Sequence, residues 1–495
     1  MNALEQDALE VLSLVRSVKN SFAPVTRIPP EILSDIPDYY DEDDVDQDLI
    51  TLTHVCRNWR DTFTSRSSLW TRLDFTNLDK THTYIHRSKS SPLEIYLKKH
   101  QNNCYLDDAF FPVIPYIHRI KSLIIRARVL PDIIRHFSCH VPLLERLDVN
   151  LTCVNAPTFD SALFKGDLSS LHELSLSGYI TLIPWNNLAN LTTLKLDSYC
   201  PGIYSVTLLL NFFECAPLLH TIVLEDAIPM SSNAPADRIV SIPHLNALSI
   251  ASWPPHSILL NHLCIPTGAS LILVHGETSP LQEYLPETST NLNNLSHITA
   301  MNLHFNVTEK YVRLSGPSGG LRVSARWVDE AIPTQTKDRR ILLSLSPPIL
   351  STIQRLAVSK YDHPTSPEIE ECPVFQTLSA MTNLHTLVLT ECDNLPFILA
   401  LNPDKNSSKL VLCPGLEELV LYVESQDQFQ IRHLLRMTKG RASRGVKLSS
   451  ITIVGLGELV PAEGVFKLGE YVTRVAYRVD DVLPDWDYLP SGETE

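Results

Sequence analysis

The chain has 495 residues, 44% of them hydrophobic and 20% charged, and 56 Asp and Glu against 41 Lys and Arg give a formal net charge of −15. That composition excludes wholesale disorder, and the acidic balance excludes a broad phosphate-binding face, which needs a basic stripe. Nucleic acid is therefore not an expected partner.

The chain opens with "MNALEQDALEVLSLVRSVKN", too acidic and too interrupted for a signal peptide, and residues 3 to 18 read as a short helix within an N-terminal segment, 1–27. No run approaches a membrane span of about 20 apolar residues, so no membrane is expected. Next comes Ile28-Pro29-Pro30-Glu31-Ile32-Leu33-Ser34-Asp35-Ile36, a proline-initiated short helix with Ile32, Leu33 and Ile36 on one face. Pro37 then ends or kinks it. Between Asp41 and Asp48 lie six carboxylates in eight residues. They read as a solvated linker held open by repulsion, with a contact to a basic partner as the other reading.

The stretch "DLITLTHVCRNWRDTFTSRSSLW" runs from Asp48 to Trp70. It places Leu49, Leu52, Val55, Cys56, Trp59 and Phe63 at steps of three, three, one, three and four, one stripe of a single helix. Thr53, Arg57, Arg60 and Asp61 take its wet face, and Leu69, Trp70, Leu73 and Phe75 form a further apolar cluster. Three short elements in fewer than fifty residues enclose little core, so part of this apolar surface is expected to lie against another molecule.

Taken together, "IPPEIL", "DLITLTHVCRNWRDTF" and "SLWTRLDF" resemble an F-box over residues 28–75, in the form common among fungal F-box proteins with leucine-rich tails. The resemblance implies a small helical module that docks on the Skp adaptor of a cullin-RING ubiquitin ligase. It also implies that Pro29, Ile32, Leu33, Leu52, Val55, Cys56 and Trp59 supply the docking face or its support. The chain departs from the family pattern at Pro37, where the first helix usually continues, and in the long acidic run that follows.

Downstream one phrase returns, aliphatic-x-x-aliphatic-x-aliphatic. It appears at Leu144-Leu147-Val149, Leu171-Leu174-Leu176, Leu191-Leu194-Leu196, Leu219-Ile222-Leu224 and Leu245-Leu248-Ile250, and later at Ile353-Leu356-Val358, Leu384-Leu387-Leu389, Leu416-Leu419-Leu421 and Leu448-Ile451-Ile453. Starts fall 27, 20, 28 and 26 residues apart in the first group and 31, 32 and 32 in the second. These periods suit the strand-plus-helix coil of a leucine-rich solenoid, in which stacked units share a core that no unit could close alone. Proline turns precede several copies, as in "VPLLERL" and "CPGLEEL".

The expected fold is therefore α/β: a small helical F-box-like module, then an irregular leucine-rich solenoid with a parallel sheet over 76–480, and a tail at 481–495. Side chains at the x positions are expected to line the concave sheet and meet a target, namely Arg146, Asp148, Glu173, Lys195, His220 and Glu418, with Thr193, Ser175 and Val420 beside them. Residues 255 to 345 show the phrase poorly, and "YVRLSGPSGGLRVSARWV" reads there as two strands joined by a Gly-rich turn, a hairpin insertion near 311–345. "TRVAYRVDD" reads as a last strand.

Little in the sequence points to chemistry. None of 18 histidines stands in an HExxH, or in an HxxxH with a matching acid, and no GxSxG elbow appears. No catalytic residue, metal or cofactor is expected. Lys439, Arg441, Arg444 and Lys447 read as a loop before a strand rather than a nucleic-acid patch. Ten cysteines without a CxxC pair suit reduced thiols inside a cell, where the five Asn-x-Ser/Thr sequons carry no glycan. Two functions follow: a non-catalytic substrate receptor of a ubiquitin ligase, or a stand-alone interaction scaffold without ligase assembly.

Overall fold

The computed structural model describes residues 3–24, 28–36, 45–75, 77–98, 110–127, 139–152, 168–178, 188–198, 205–228, 234–251, 256–275, 285, 291–295, 297–305, 309–316, 320–326, 347–359, 373–390, 392, 394–403, 411–423, 431–456 and 465–480. Pro37, the acidic residues 41–44, residues 327–346 and the tail 481–495 lie outside them. The chain divides into two compact units, residues 1–191 and 192–495, a division that falls inside the segment expected to be one solenoid.

The first unit begins with α1 (Ala3–Ser21), α2 (Pro30–Asp35), α3 (Val45–Thr53) and α4 (Arg57–Ser65), then a 3-10 turn at Ser67–Trp70, β1 (Arg72–Leu73) and α5 (Leu78–Ser88). The single helix expected from Leu49 to Phe63 is thus two, broken at residues 54–56. Local chemistry makes the break. Thr53 is β-branched and turns its hydroxyl back onto the Ile50 carbonyl at 2.7 Å, and Cys56 adopts an extended backbone, φ −160° and ψ 175°, as N-cap of α4. Leu52 and Trp59 are seven residues apart, two helical turns, so the apolar period runs across a gap it cannot report.

Parallel strands follow: β2 (Leu93–Lys98), β3 (Ile120–Ala127), β4 (Arg146–Leu151) and β5 (Glu173–Gly178), with β1 already paired to β2. Their register stacks Ile95, Leu123, Leu147 and Leu174 in one buried row and Leu97, Ile125, Val149 and Leu176 in the next. Gly178, at the end of β5, has φ +95°, and a Cβ there would sit 1.8 Å from the Leu151 carbonyl oxygen, so only glycine lets these two strands close.

In the second unit β6 (Thr193–Ser198), β7 (Thr221–Glu225), β9 (Ala247–Ala251) and β11 (Ser270–His275) run parallel, with a small separate pair β8 (Val240–Ser241) and β10 (Leu263–Cys264). The expected hairpin is present as β13 (Glu309–Ser315) and β14 (Gly320–Arg326), antiparallel to each other. It is built into the sheet: β14 pairs in parallel with β11, and β13 pairs antiparallel with β12 (Ala300–Phe305). Parallel pairing then resumes through β15 (Arg355–Ser359), β16 (Thr386–Thr390), β17 (Glu418–Val423), β18 (Ser450–Leu456) and β19 (Arg474–Asp480), the last being the strand expected from "TRVAYRVDD".

The repeated phrase is longer than its three aliphatic positions. Three residues before the first of them stands another buried apolar side chain, as at Val141, Leu168, Leu188, Ile242 and Met381. The first leucine donates its N–H back to that residue's carbonyl, at 3.2 Å for Leu144 to Val141 and 3.3 Å for Leu245 to Ile242. Pro142 and Pro243 fill the position that favours a fixed φ in such a turn. Many strand starts are then fastened to the preceding coil by one carbonyl that accepts two successive N–H groups. Glu145 accepts from His172 and Glu173 at 2.8 and 3.0 Å, Thr192 from His220 and Thr221 at 2.8 and 3.0 Å, and His385 from Glu417 and Glu418 at 2.9 and 2.9 Å. The same arrangement recurs at His220, Thr299, Gln354 and Glu417. Asparagine side chains add to these links: Asn190 Nδ2 donates to the Ser169 carbonyl and Asn383 Nδ2 to the Ser351 carbonyl, each at 2.7 Å.

Arg441 corrects one expectation. It lies in a helix, α6 (Ile431–Ser443), not in a loop, and is fully buried, donating to the carbonyls of Leu412 and Cys413 at 2.9 Å each. The supposed basic patch therefore lacks its central charge, which serves to bind the turn before β17.

Candidate functional site

The helical module places its apolar side chains on opposite sides of a thin layer. α4 packs on α2 and α3, and Leu33, Leu49, Leu52, Trp59 and Phe63 are buried. Trp59 meets Phe63 edge to face at 5.8 Å. Trp70 closes the other end of this core: its indole N–H donates to the Phe63 carbonyl at 2.9 Å, Tyr84 of α5 packs edge-on at 4.9 Å, and the Arg87 guanidinium lies over its ring at 4.3 Å. The two tryptophans thus have different tasks. Trp59 fills the three-helix layer, and Trp70 joins that layer to the first strands.

Of the seven residues expected at a docking face, three are core. Ile32 is 57% exposed and its neighbour Leu33 is fully buried. Successive helical residues point about 100° apart, so the two cannot share one face, which corrects the reading of Ile32, Leu33 and Ile36 as a single stripe. Leu52 and Trp59 are buried support. Pro29, Ile32 and Val55 are exposed, with Ile50 beside Leu49 also exposed, and Cys56 is half-buried in the break between α3 and α4. Arg60 holds that break by donating from Nε to the Thr53 carbonyl at 3.0 Å.

The sequence reading passed over a neighbour of this edge. Val55, Cys56, Arg57 and Arg60 line a cavity of about 930 Å³ whose other wall is Leu9, Leu12, Ser13 and Arg16 of α1. Arg57 donates from Nη2 to Ser13 Oγ at 3.1 Å across it. The aliphatic residues of "LEVLSL" belong to α1, the helix expected over residues 3 to 18.

The expected target-binding residues divide as well. Arg146 is exposed on β4, and its Nε lies 3.5 Å from a Glu173 carboxylate oxygen on β5. Asp148 is buried and fully engaged: Arg126 of β3 donates from Nη1 and Nη2 to its two oxygens at 2.7 and 2.6 Å. It fixes a neighbouring strand and has no free oxygen to offer a target. Lys195 is exposed on β6. His220 precedes β7, with Nδ1 2.6 Å from the Leu218 carbonyl, so the sheet positions are taken by Thr221 and Val223 instead. At the end of β6, burial and then the nearby Asp226 push the Asp197 carboxyl above its ordinary value. Glu418 is half-buried and accepts from Thr386 Oγ1 at 3.2 Å.

Over β15 to β18 part of the outward face is closed. Ala357 and Val388 stand at x positions, yet they form a buried cluster with Tyr422 and Val454, each one residue past the phrase on the same side of its strand, and Val420 packs against it. The apolar identity of Ala357, Val388 and Val420 was the available sign, since the corresponding positions on β4, β5 and β6 are the polar Asp148, Ser175 and Lys195.

Among the described residues no group of three or more His, Cys, Asp or Glu could hold a metal ion, and no helix is long and apolar enough to cross a membrane. Residues 25–76, from just before α2 through β1, match the family of F-box-like domains. The chain carries such a domain where "IPPEIL" and the following segments pointed to it. Among curated proteins, none matches the chain.

Proposed function

We propose that this chain is the non-catalytic substrate-recognition subunit of a cullin-RING, SCF-type ubiquitin ligase. The F-box-like domain docks a Skp-type adaptor, and the stacked coils form a leucine-rich-repeat solenoid, of the kind found in fungal F-box proteins, that holds a target protein. The observation that carries this reading is the F-box-like domain itself, placed ahead of coils of parallel strands. Such domains generally bind Skp-type adaptors. Pro29, Ile32, Val55 and Cys56 form the adaptor contact, while Leu33, Leu52 and Trp59 hold those residues in place.

The target surface is charged. In the first unit it centres on Arg146 and Glu173; in the second unit Lys195 is an expected residue that stays exposed. Ubiquitin transfer belongs to the partner subunits, and tethering raises the effective concentration of target near them. The site is intracellular, in cytoplasm or nucleus, consistent with Cys56, Cys215, Cys264 and Cys413 being thiols rather than cystines. A second reading, a scaffold without ligase assembly, draws support from the burial of Leu52 and Trp59, which leaves a smaller exposed edge than the resemblance implied.

Co-purification of the full chain with a Skp-type adaptor separates the two. Capture of the adaptor by the wild type, lost in Ile32→Asp with Val55→Asp at unchanged thermal stability, supports the receptor. A wild type that ignores the adaptor at micromolar concentration refutes it and leaves the scaffold.

A further inference from the structure

We propose that α1 is a dimerisation helix that pairs, antiparallel, with α1 of a second copy of this chain. The inference stands apart from adaptor docking and rests on a different face.

α1 is 19 residues long and carries Ala8, Val11, Val15 and Val18 at steps of three, four and three, a spacing that Phe22, just past its end, continues. That is the 3.5-residue period of a coiled-coil seam. All five are exposed, with Val11 at 63%, Val15 at 59% and Val18 at 53%. The side of α1 that faces its own chain is a different one. Leu9, Leu12, Ser13 and Arg16 line the cavity shared with the start of α4, and Ser13 takes the hydrogen bond from Arg57. The valine seam points away from that wall. A helix of this length is marginal alone in water, and a continuous aliphatic stripe left in solvent is unusual on a folded chain.

The occupant follows from the way charges are distributed along α1. Glu5, Asp7 and Glu10 lie in its first half, and Arg16 and Lys19 in its second. A parallel pair would place like charges side by side. In an antiparallel two-fold pair, Val11 packs on Val15 of the second copy and Ala8 on Val18 of the second copy. Glu5 then faces Lys19 of the second copy, twice by symmetry, and Leu14 flanks the seam against its own counterpart. The one register that buries the valines also matches the charges, so α1 is complementary to itself.

Light scattering after size-exclusion chromatography of the full chain, at tens of micromolar, tests this. The wild type is expected at twice the 55.7 kDa chain mass. Val11→Glu with Val15→Glu is expected at the single-chain mass, with an unchanged thermal melt, because both side chains are exposed in the free chain. Glu5→Lys alone sets like charges in both end contacts and is expected to weaken the dimer about five- to tenfold; adding Lys19→Glu restores it. A monomeric wild type overturns the proposal, as does a Val11→Glu/Val15→Glu protein that remains dimeric. Failure of the double charge swap to restore pairing overturns the antiparallel register. If the wild type is monomeric and the valine substitutions instead release a Skp-type adaptor, the stripe belongs to that partner and self-association is refuted.

Discussion

Trp59→Ala and Ile32→Ala should have opposite signatures, because the structure puts one residue inside the helical layer and the other outside it. Trp59 is buried and edge-on to Phe63 at 5.8 Å. Truncating it costs about 3–5 kcal/mol for the lost burial and cavity, with roughly another 0.5–1.5 kcal/mol for the aromatic pair. Against a domain stability of about 5–15 kcal/mol, that loss unfolds much of a layer held by three short helices. Ile32 has 57% of its surface in water. In the free chain its truncation should stay within about 0.5 kcal/mol. In an adaptor complex the exposed part becomes buried, so the same change costs roughly 1–2 kcal/mol, or about five- to thirtyfold in affinity. The assay is a thermal or urea melt of the full chain beside an adaptor titration of each variant. Equal destabilisation of the free chain by both substitutions would refute the assignment of faces, and so would a Trp59→Ala protein that melts like wild type.

Other consequences follow from single contacts. Arg441→Ala leaves the Leu412 and Cys413 carbonyls without their donor, at about 1–3 kcal/mol for each buried acceptor left unmatched, so a urea melt should show a loss of about 2–5 kcal/mol in the second unit. Gly178→Ala drives a Cβ to 1.8 Å from the Leu151 carbonyl oxygen at φ +95°; expression with a markedly lowered melting temperature is expected, and a neutral melt would show that β4 and β5 can separate freely. Burial pushes the Cys413 thiol from its ordinary 9.0 up to about 12, against a smaller opposing pull from Arg441. The unfolded chain then gives up that proton first, so stability falls by up to about 1.4 kcal/mol per pH unit as pH rises between those two values. Chemical melts of wild type and Cys413→Ala across that window should diverge in slope, with the alanine protein the flatter.

The parallel sheet was legible because its signal is strictly local. A coil of this kind needs two inward aliphatics, a turn before them and a spacing long enough to return, and each is written in consecutive residues. Further copies went uncounted: Ile298-Met301-Leu303 became β12 and Val472-Val475-Tyr477 became β19, both altered by substitution, and Ile120-Leu123-Ile125, which fits the phrase unaltered, became β3, all in register with recognised copies. The break at residues 54–56 was illegible for the opposite reason, since two helices separated by a whole number of turns preserve the period that a single helix would show. Asp148 and Arg441 were misread because charge in a sequence says nothing of its partner. Both are neutralised or capped by residues more than twenty positions away, Arg126 and the Leu412–Cys413 carbonyls.

The same separation between local pattern and distant partner bears on the proposed target surface. An x position on a strand guarantees only that a side chain leaves the leucine core. Whether it reaches solvent depends on what covers that stretch of sheet, and the chemistry of the x residues tracks the outcome. On β15 and β16 the central x residues Ala357 and Val388 are apolar and buried, whereas the charged x residues Arg146, Glu173 and Lys195 on β4 to β6, like Arg355 and Glu418 on β15 and β17, are exposed or half-buried. Desolvating those charges under the chain's own residues would cost several kcal/mol apiece without a matched partner, so the sequence keeps them where water, or a target with complementary charge, can meet them. Charge reversal at Lys195 and Arg146 should therefore change target capture without lowering the melting temperature, while Val388→Lys should lower the melting temperature first.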